Sequence, residues 1–253
     1  MEIKKILEAF NEVAPLSLSF DAQKNCGHYD NSGLILDCAE ETDSVVFALD
    51  LTNEVVDYAV SVGAKLIITH HPAIYRGIKS VSGTYVKAIS AGITVYSAHL
   101  NLDAAVNGID DTLASLAGAT ETEIIDYVNE TRGFGRKFSI SPTTAESVVN
   151  RLIRALSTDK YMFFGNKNAV VDSVATFCGA GLNEQSASTV NAQLLISADI
   201  PHHVLLAGLN SGKCILQLTH YASEAIAMKH FVENSFANKI NIKCYFFTDK
   251  RFL

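Results

Sequence analysis

Through the first half of the chain, short β-branched runs alternate with stretches of helical periodicity. SVVFALD (44–50) is followed by NEVVDYAVSVG (53–63), KLIITH (65–70), TYVKAISAG (84–92), ITVYSAH (93–99) and GIDDTLASLAG (108–118). Strands separated by helices cross over and re-enter in the same direction, so this rhythm predicts βαβ units and a mostly parallel sheet. Before it, MEIKKILEAFNEV places Ile3, Ile6, Leu7, Phe10 and Val13 at helical spacing with charges between them, an amphipathic helix. Punctuation agrees: Asn53 is placed to cap its helix, and Gly63, Gly92 and Gly118 to end theirs in the αL conformation.

Around residues 120–135 the texture turns polar, in TETEIIDYVNETRGFGRKF, and a domain junction is expected there. A strand near RKFSIS follows, then a helix with Val148, Val149, Leu152, Ile153 and Leu156 on its apolar face, then strands in YMFFG and VVDSVATFCG. From about residue 193 the earlier rhythm returns in AQLLISAD, PHHVLLAGLNSG, KCILQLTH, YASEAIAMKHFVENSF and NIKCYFF. The expectation is a discontinuous α/β domain over 1–125 and 193–253, its mostly parallel sheet rejoined by the tail. A smaller α+β domain over 126–192 would interrupt it.

Composition narrows the class. The 253 residues are 48% hydrophobic and 19% charged, enough to bury a full core. A formal charge of -7 and a pI near 5.6 argue against non-specific binding to phosphate backbones, and so against nucleic acid as a partner. Cys26, Cys38, Cys178, Cys214 and Cys244 are odd in number and form no C-x-x-C pair, which disfavours a disulfide scaffold or a thiolate zinc site. No apolar run approaches the ~18 residues of a membrane span, and the N-terminus lacks a signal h-region. A cytoplasmic protein without membrane attachment is expected.

The chemistry-bearing residues gather at strand ends, where loops of open α/β sheets converge on ligands. KLIITH runs into His70 and His71, ITVYSAH ends at His99, and CILQLTH ends at His220. This reading delivers all four imidazoles to one sheet edge. His99 with Asp103, and His220 with Glu224, have the i, i+4 spacing that puts two side chains on one helical face. Adjacent His70 and His71 point apart, so each is expected to face its own ion, with Asp103 and Glu224 bridging or beside both. Each element has a structural alternative: imidazoles capping backbone groups at His70 and His71, a core histidine at His99, a helix cap at Asp103, a solvated charge at Glu224. Arg76 and Lys79 follow the His-His-Pro turn and are placed to hold an anionic group, with simple solvation the competing account. In GAGLNEQS, Gly179 and Gly181 lack the P-loop lysine and read as a turn.

At DNSGL (30–34), ALDLTNEVVDYA (48–59), ITHHPAIYRGIKS (68–80), YSAHLNLDAAVNGIDDTLA (96–114), ADIPHH (198–203) and THYASE (219–224), the chain resembles the NIF-three-like family, also called the GTP cyclohydrolase I type 2 family. The resemblance implies the interrupted two-domain fold, a toroidal homohexamer and two divalent metal ions per subunit. It carries the ligands onto His70, His71, Asp103, His220 and Glu224. His99, lining the site, and Asp199 are the candidate catalytic residues. Imidazole and carboxylate donors without thiolate suit zinc, iron or manganese. Paired divalent ions lower the pKa of bound water, so the implied activity is hydrolysis of a small molecule, a guanine nucleotide if the family name applies. A metal-stabilised hexameric scaffold without turnover is the alternative. The chain departs from the family at Gln217, Leu218 and Thr219, where Asp-Ala-Gly is usual, and at Ser197 and Ala198, where Thr-Gly is usual. Asp50, Asp199 and Thr219 are the candidates for orienting the ligating imidazoles, hydrogen bonding to backbone being the alternative.

Overall fold

The computed structural model describes residues 1–252, which divide into two units. The first comprises Met1–Gly108 and Met228–Thr248; the second comprises Ile109–Ala227 and the residues from Asp249 onward. In chain order the first unit holds α1 (Ile3–Val13), α2 (Ser17–Cys26), β1 (Gly33–Leu36), β2 (Ser44–Ala48), α3 (Asn53–Ser61), β3 (Leu66–Thr69), α4 (Thr84–Ser90), β4 (Thr94–Ser97) and α5 (Leu100–Ala104). The second begins with α6 (Ile109–Ala117), β5 (Glu123–Tyr127), β6 (Gly133–Thr144), α7 (Ala145–Ala155), β7 (Tyr161–Phe164) and β8 (Val170–Thr176). It continues through α8 (Glu184–Thr189), β9 (Leu194–Ala198), α9 (His202–Asn210), β10 (Cys214–Leu218) and the start of α10 (His220–Phe231). The chain then re-enters the first unit, ending it with β11 (Lys243–Phe246).

The first sheet has the order β1-β4-β3-β2-β11, with β4, β3, β2 and β11 parallel and β1 antiparallel at the edge. Strands β2, β3 and β4 are buried along their whole length, which is why their centres are β-branched and apolar, with Ser44, Thr69, Thr94 and Ser97 as buried polar residues at their ends. Alternate residues serve opposite faces. Phe47 and Tyr96 meet Phe10 of α1, whose ring lies between 5.1 and 6.3 Å from those of Phe47, Tyr96, Phe231 and Phe236. Val46, Ile67 and Val95 pack with Val55, Val56 and Ala59 of α3 and Ala88 of α4.

The second sheet has the order β5-β6-β8-β9-β10-β7 and is mixed: β8, β9 and β10 run parallel, and the remaining pairings are antiparallel. Here the expected organisation needs correction. β9 and β10 do not return to the first sheet: Leu194 pairs with Val174 of β8 and with Cys214 of β10, and only β11 rejoins β2. The junctions therefore fall after Gly108 and Ala227 rather than near 125 and 193, and the two units are close to equal in length. Local periodicity marks an element as a strand but not its neighbour in the sheet. The four histidines consequently end strands of two sheets, not one.

Smaller differences have local causes. Thr52, not Asn53, caps α3, its hydroxyl accepting from Val55 N at 3.3 Å. The polar stretch expected as a junction contains β5, an edge strand whose exposed Glu123 suits that position. Gly63, Gly92 and Gly118 all have positive φ, as expected. Among the described residues, no helix is long and apolar enough to cross a membrane.

Candidate metal centre

Two donor sets emerge, one in each unit. In the first, the parallel pairing of β2 and β3 runs past the end of β3: His70 N donates to Ala48 O at 3.0 Å and His71 N to Leu49 O at 2.8 Å. The Thr69 hydroxyl sends its single proton to His71 O at 2.8 Å, so in its 2.8 Å contact with Ser97 the serine is the donor. Ser97 Oγ also accepts from Ala73 N at 3.0 Å, which fixes the turn carrying both imidazoles.

His70 is fully buried, and its Nδ1 lies 2.9 Å from Ala98 O. A carbonyl only accepts, so Nδ1 carries the proton and Nε2 presents its lone pair. That Nε2 lies 3.5 Å from Oδ1 of Asp103. His71 is anchored differently, its Nδ1 2.7 Å from Asp50 Oδ1, and its ring is inclined 47° to that of His70. His99 stands at the N-cap position of α5, and its Nδ1 lies 2.9 Å from Asp30 Oδ1. One ligand atom from each of His70, His99 and Asp103 falls within 4.8 Å of the others. The helix holding Asp103 is pinned by Asn101, whose Nδ2 donates to Ala14 O at 2.8 Å and whose N donates to Ser19 Oγ at 3.0 Å.

Burial pushes the Asp30 carboxyl up, but hydrogen bonds from His99, Ser19 and Ser32 outweigh it and hold the group at about 2. A carboxylate whose folded pKa is depressed stabilises the fold above its unfolded value of ~3.9 and loses that contribution as pH falls toward 2. Asp30→Asn should therefore lower stability near neutrality by about 2 kcal/mol and flatten the acid limb between pH 4 and 2. Urea titrations of both proteins across that range check it; parallel acid limbs would refute the assignment.

In the second unit, α10 begins at His220, and Glu224 sits one turn on and 3% exposed. His220 Nε2 is 3.2 Å from Glu224 Oε1, and its Nδ1 is 2.6 Å from Asp199 Oδ2. Asp199 has φ of 46°, left-handed backbone uncommon for a non-glycine residue. The wall beside the pair is Gly179: a Cβ added there would lie 2.3 Å from Glu224 Oε1 and 3.1 Å from His220 Nε2. Its backbone is clamped. Gly179 N donates to Ser223 Oγ at 3.1 Å, while Gly179 O accepts from Ala198 N at 2.8 Å and Ser197 Oγ at 3.0 Å. One residue earlier, Cys178 N donates at 3.0 Å to Asp110, a fully buried carboxylate that also takes Gly135 N at 2.8 Å. Burial raises the Asp110 pKa, with Arg136 and these backbone donors opposing it.

Of the candidate orienting residues, Asp50 and Asp199 do meet imidazole nitrogens. Thr219 does not; it caps α10, accepting from Ala222 N at 3.2 Å. The sequence alone assigns no role to Asp30 or Asp110 and marks Gly179 only as a turn residue. The DNSGL motif contained Asp30, but nothing in its spacing pointed to His99, and Gly179 looked like any turn glycine. Chemically the donor sets suit a divalent cation. All four histidines have Nδ1 on an oxygen acceptor, the arrangement that leaves Nε2 as ligand atom, and in two of them Nε2 lies within 3.5 Å of a carboxylate oxygen.

Comparison with known proteins finds relatives over nearly the whole chain. A protein of Clostridium perfringens called GTP cyclohydrolase 1 type 2 homolog is 28% identical over 235 residues, covering 88% of this chain and 87% of its own. A Methanocaldococcus jannaschii protein of the same name is 28% identical over 250 residues, covering 92% and 94%. In fold, a Bacillus cereus protein related to NIF3 superposes with a TM-score of 0.85 at 19% identity, over 98% of this chain and 97% of its own. Matched by the family model from residue 1 to 251, the chain belongs to the Duf34/NIF3 (NGG1p interacting factor 3) family.

Proposed function

We propose that His70, His71, Asp103, His220 and Glu224 are ligands for two divalent ions, zinc, iron or manganese, and that the protein is a metal-dependent hydrolase. The observation that supports this reading most is the uniform anchoring of Nδ1 in four imidazoles, which aims Nε2 as the donor atom. Two such ions supply a bound water of lowered pKa and polarise the bond to be cleaved. The chain's own residues do the rest. Asp50, Asp199 and the Ala98 carbonyl keep their histidines in the ligating tautomer, so Asp199 acts as a positioning residue through His220. His99, with its Nδ1 proton held by Asp30, offers Nε2 as a proton acceptor next to the ligands. The relatives' names suggest a nucleotide as substrate, and the family resemblance suggests a cytoplasmic homohexamer.

Elemental analysis of protein purified without added metal, joined to an activity screen over nucleotides, phosphoesters and cyclic amides, tests the reading. The expected result is about two divalent ions per chain and turnover that His71→Ala abolishes as it reduces bound metal. Turnover that persists unchanged after metal is lost would sink the hydrolase. Full metal occupancy with no turnover, and a melting temperature that falls on chelation, would favour the scaffold instead. Light scattering decides the hexamer.

A further inference from the structure

Beside His99 lies a cluster that no metal role absorbs. Tyr29, which immediately precedes Asp30, and Tyr75, which follows the His-His-Pro turn, meet edge to face with ring centroids 5.2 Å apart at 82°. The Arg76 guanidinium stands over both rings, 5.6 Å from Tyr29 and 5.9 Å from Tyr75. Tyr75 in turn faces His99 edge on, at 6.5 Å and 88°. The tyrosines remain 47% and 42% exposed, so both side chains are accessible to a ligand. Their loops are nonetheless fixed: Asn31 Nδ2 donates to Ile74 O at 2.6 Å and Tyr75 Oη donates to Tyr29 O at 3.2 Å. Among the described residues Arg76 makes no hydrogen bond or ion pair, so its planar fork of donors is held by the rings alone. Exposed aromatic faces on pinned loops lose little further conformational freedom on binding a flat ligand. A guanidinium recognises phosphate or carboxylate by two parallel hydrogen bonds.

We infer that Tyr29, Tyr75 and Arg76 form a substrate clamp beside His99 for a planar heterocycle carrying an anionic group, the ring stacking on tyrosine and the anion pairing with Arg76. This rests on the reading of the His99 neighbourhood as part of a hydrolytic centre, and it deepens that reading by naming the ligand class. Lys79, the other cation after the turn, is exposed and takes no part in the ring contacts.

The test is calorimetric titration of the purified protein with GMP, guanosine and ribose 5-phosphate, with bound metal measured on the same samples. GMP should bind at least tenfold more tightly than either fragment, since each lacks one of the two contacts. Arg76→Gln should weaken GMP about tenfold, toward the guanosine value, and leave guanosine unchanged. Tyr29→Leu and Tyr75→Leu should weaken GMP and guanosine strongly and ribose 5-phosphate less, because the remaining ring still supports Arg76. All three variants should keep the wild-type metal content, since they alter exposed side chains. The clamp is overturned if GMP does not bind, if guanosine binds as well as GMP, or if Arg76→Gln leaves GMP affinity unchanged. A protein that binds GMP with this profile yet takes up no divalent metal would overturn the hydrolase instead, so the two failures are distinct.

Discussion

Glu224→Ala should abolish most of the stabilisation that divalent metal gives this protein while leaving the chelated protein at least as stable as chelated wild type. The carboxylate is 3% exposed, and a buried charge is costly unless cations or hydrogen bonds compensate it. Its distance of 3.2 Å from His220 Nε2 sets two electron donors side by side, an arrangement a shared cation stabilises. Removing the carboxylate relieves the desolvation and deletes a ligand at once, so the two measurements move in opposite directions. At a metal concentration 100 times its dissociation constant the lost linkage is about 2.7 kcal/mol. For a chain of this size that is roughly 5–10 °C of melting temperature. Glu224→Gln controls for the cavity, keeping the volume but not the charge. Differential scanning calorimetry with and without chelator reads both effects. An equal metal-dependent shift in wild type and Glu224→Ala would remove Glu224 from the ligand set.

How far the sequence carried these conclusions depended on whether a feature was local. β2, β3 and β4 were legible because strands buried on both faces concentrate short β-branched and apolar residues, and α3 because Val55, Val56 and Ala59 repeat at helical spacing. The i, i+4 pair of His220 and Glu224 was legible for the same reason: one helical turn fixes both side chains. The assignment of β9 and β10 to the first sheet failed because sheet membership depends on partners distant in sequence, and their runs fit either sheet equally well. The partners of the imidazoles divide along the same line. Asp50 and Asp199 close strands, so they were visible as candidates, whereas the Ala98 carbonyl that anchors His70 is a backbone atom any residue would supply. Asp30 reaches His99 across 69 positions, and only folding reveals the pair.

Gly179 is where that limitation matters most, and Gly179→Ala should cost far more metal affinity than its size suggests. Two effects combine. Its φ of 48° is left-handed, where alanine is less stable than glycine by about 1–2 kcal/mol. A new methyl would also stand 2.3 Å from Glu224 Oε1, a contact one partner must relieve. The backbone is poorly placed to retreat, held through Ser223, Ala198 and Ser197 at Gly179 itself and through Asp110 at the preceding residue. The carboxylate therefore yields, carrying it off the geometry it shares with His220. Gly212→Ala isolates the backbone share, because Gly212 has φ of 77° and open space where the methyl would go. Expected are similar losses of chelated stability, about 1–2 kcal/mol each, but a drop in metal affinity of at least tenfold confined to Gly179→Ala. Denaturant melts of the chelated proteins and competition with a metallochromic chelator measure the two quantities separately. If both variants retain wild-type metal affinity, the close approach of Gly179 has no part in shaping the ligand pair, and the wall beside His220 is only a turn.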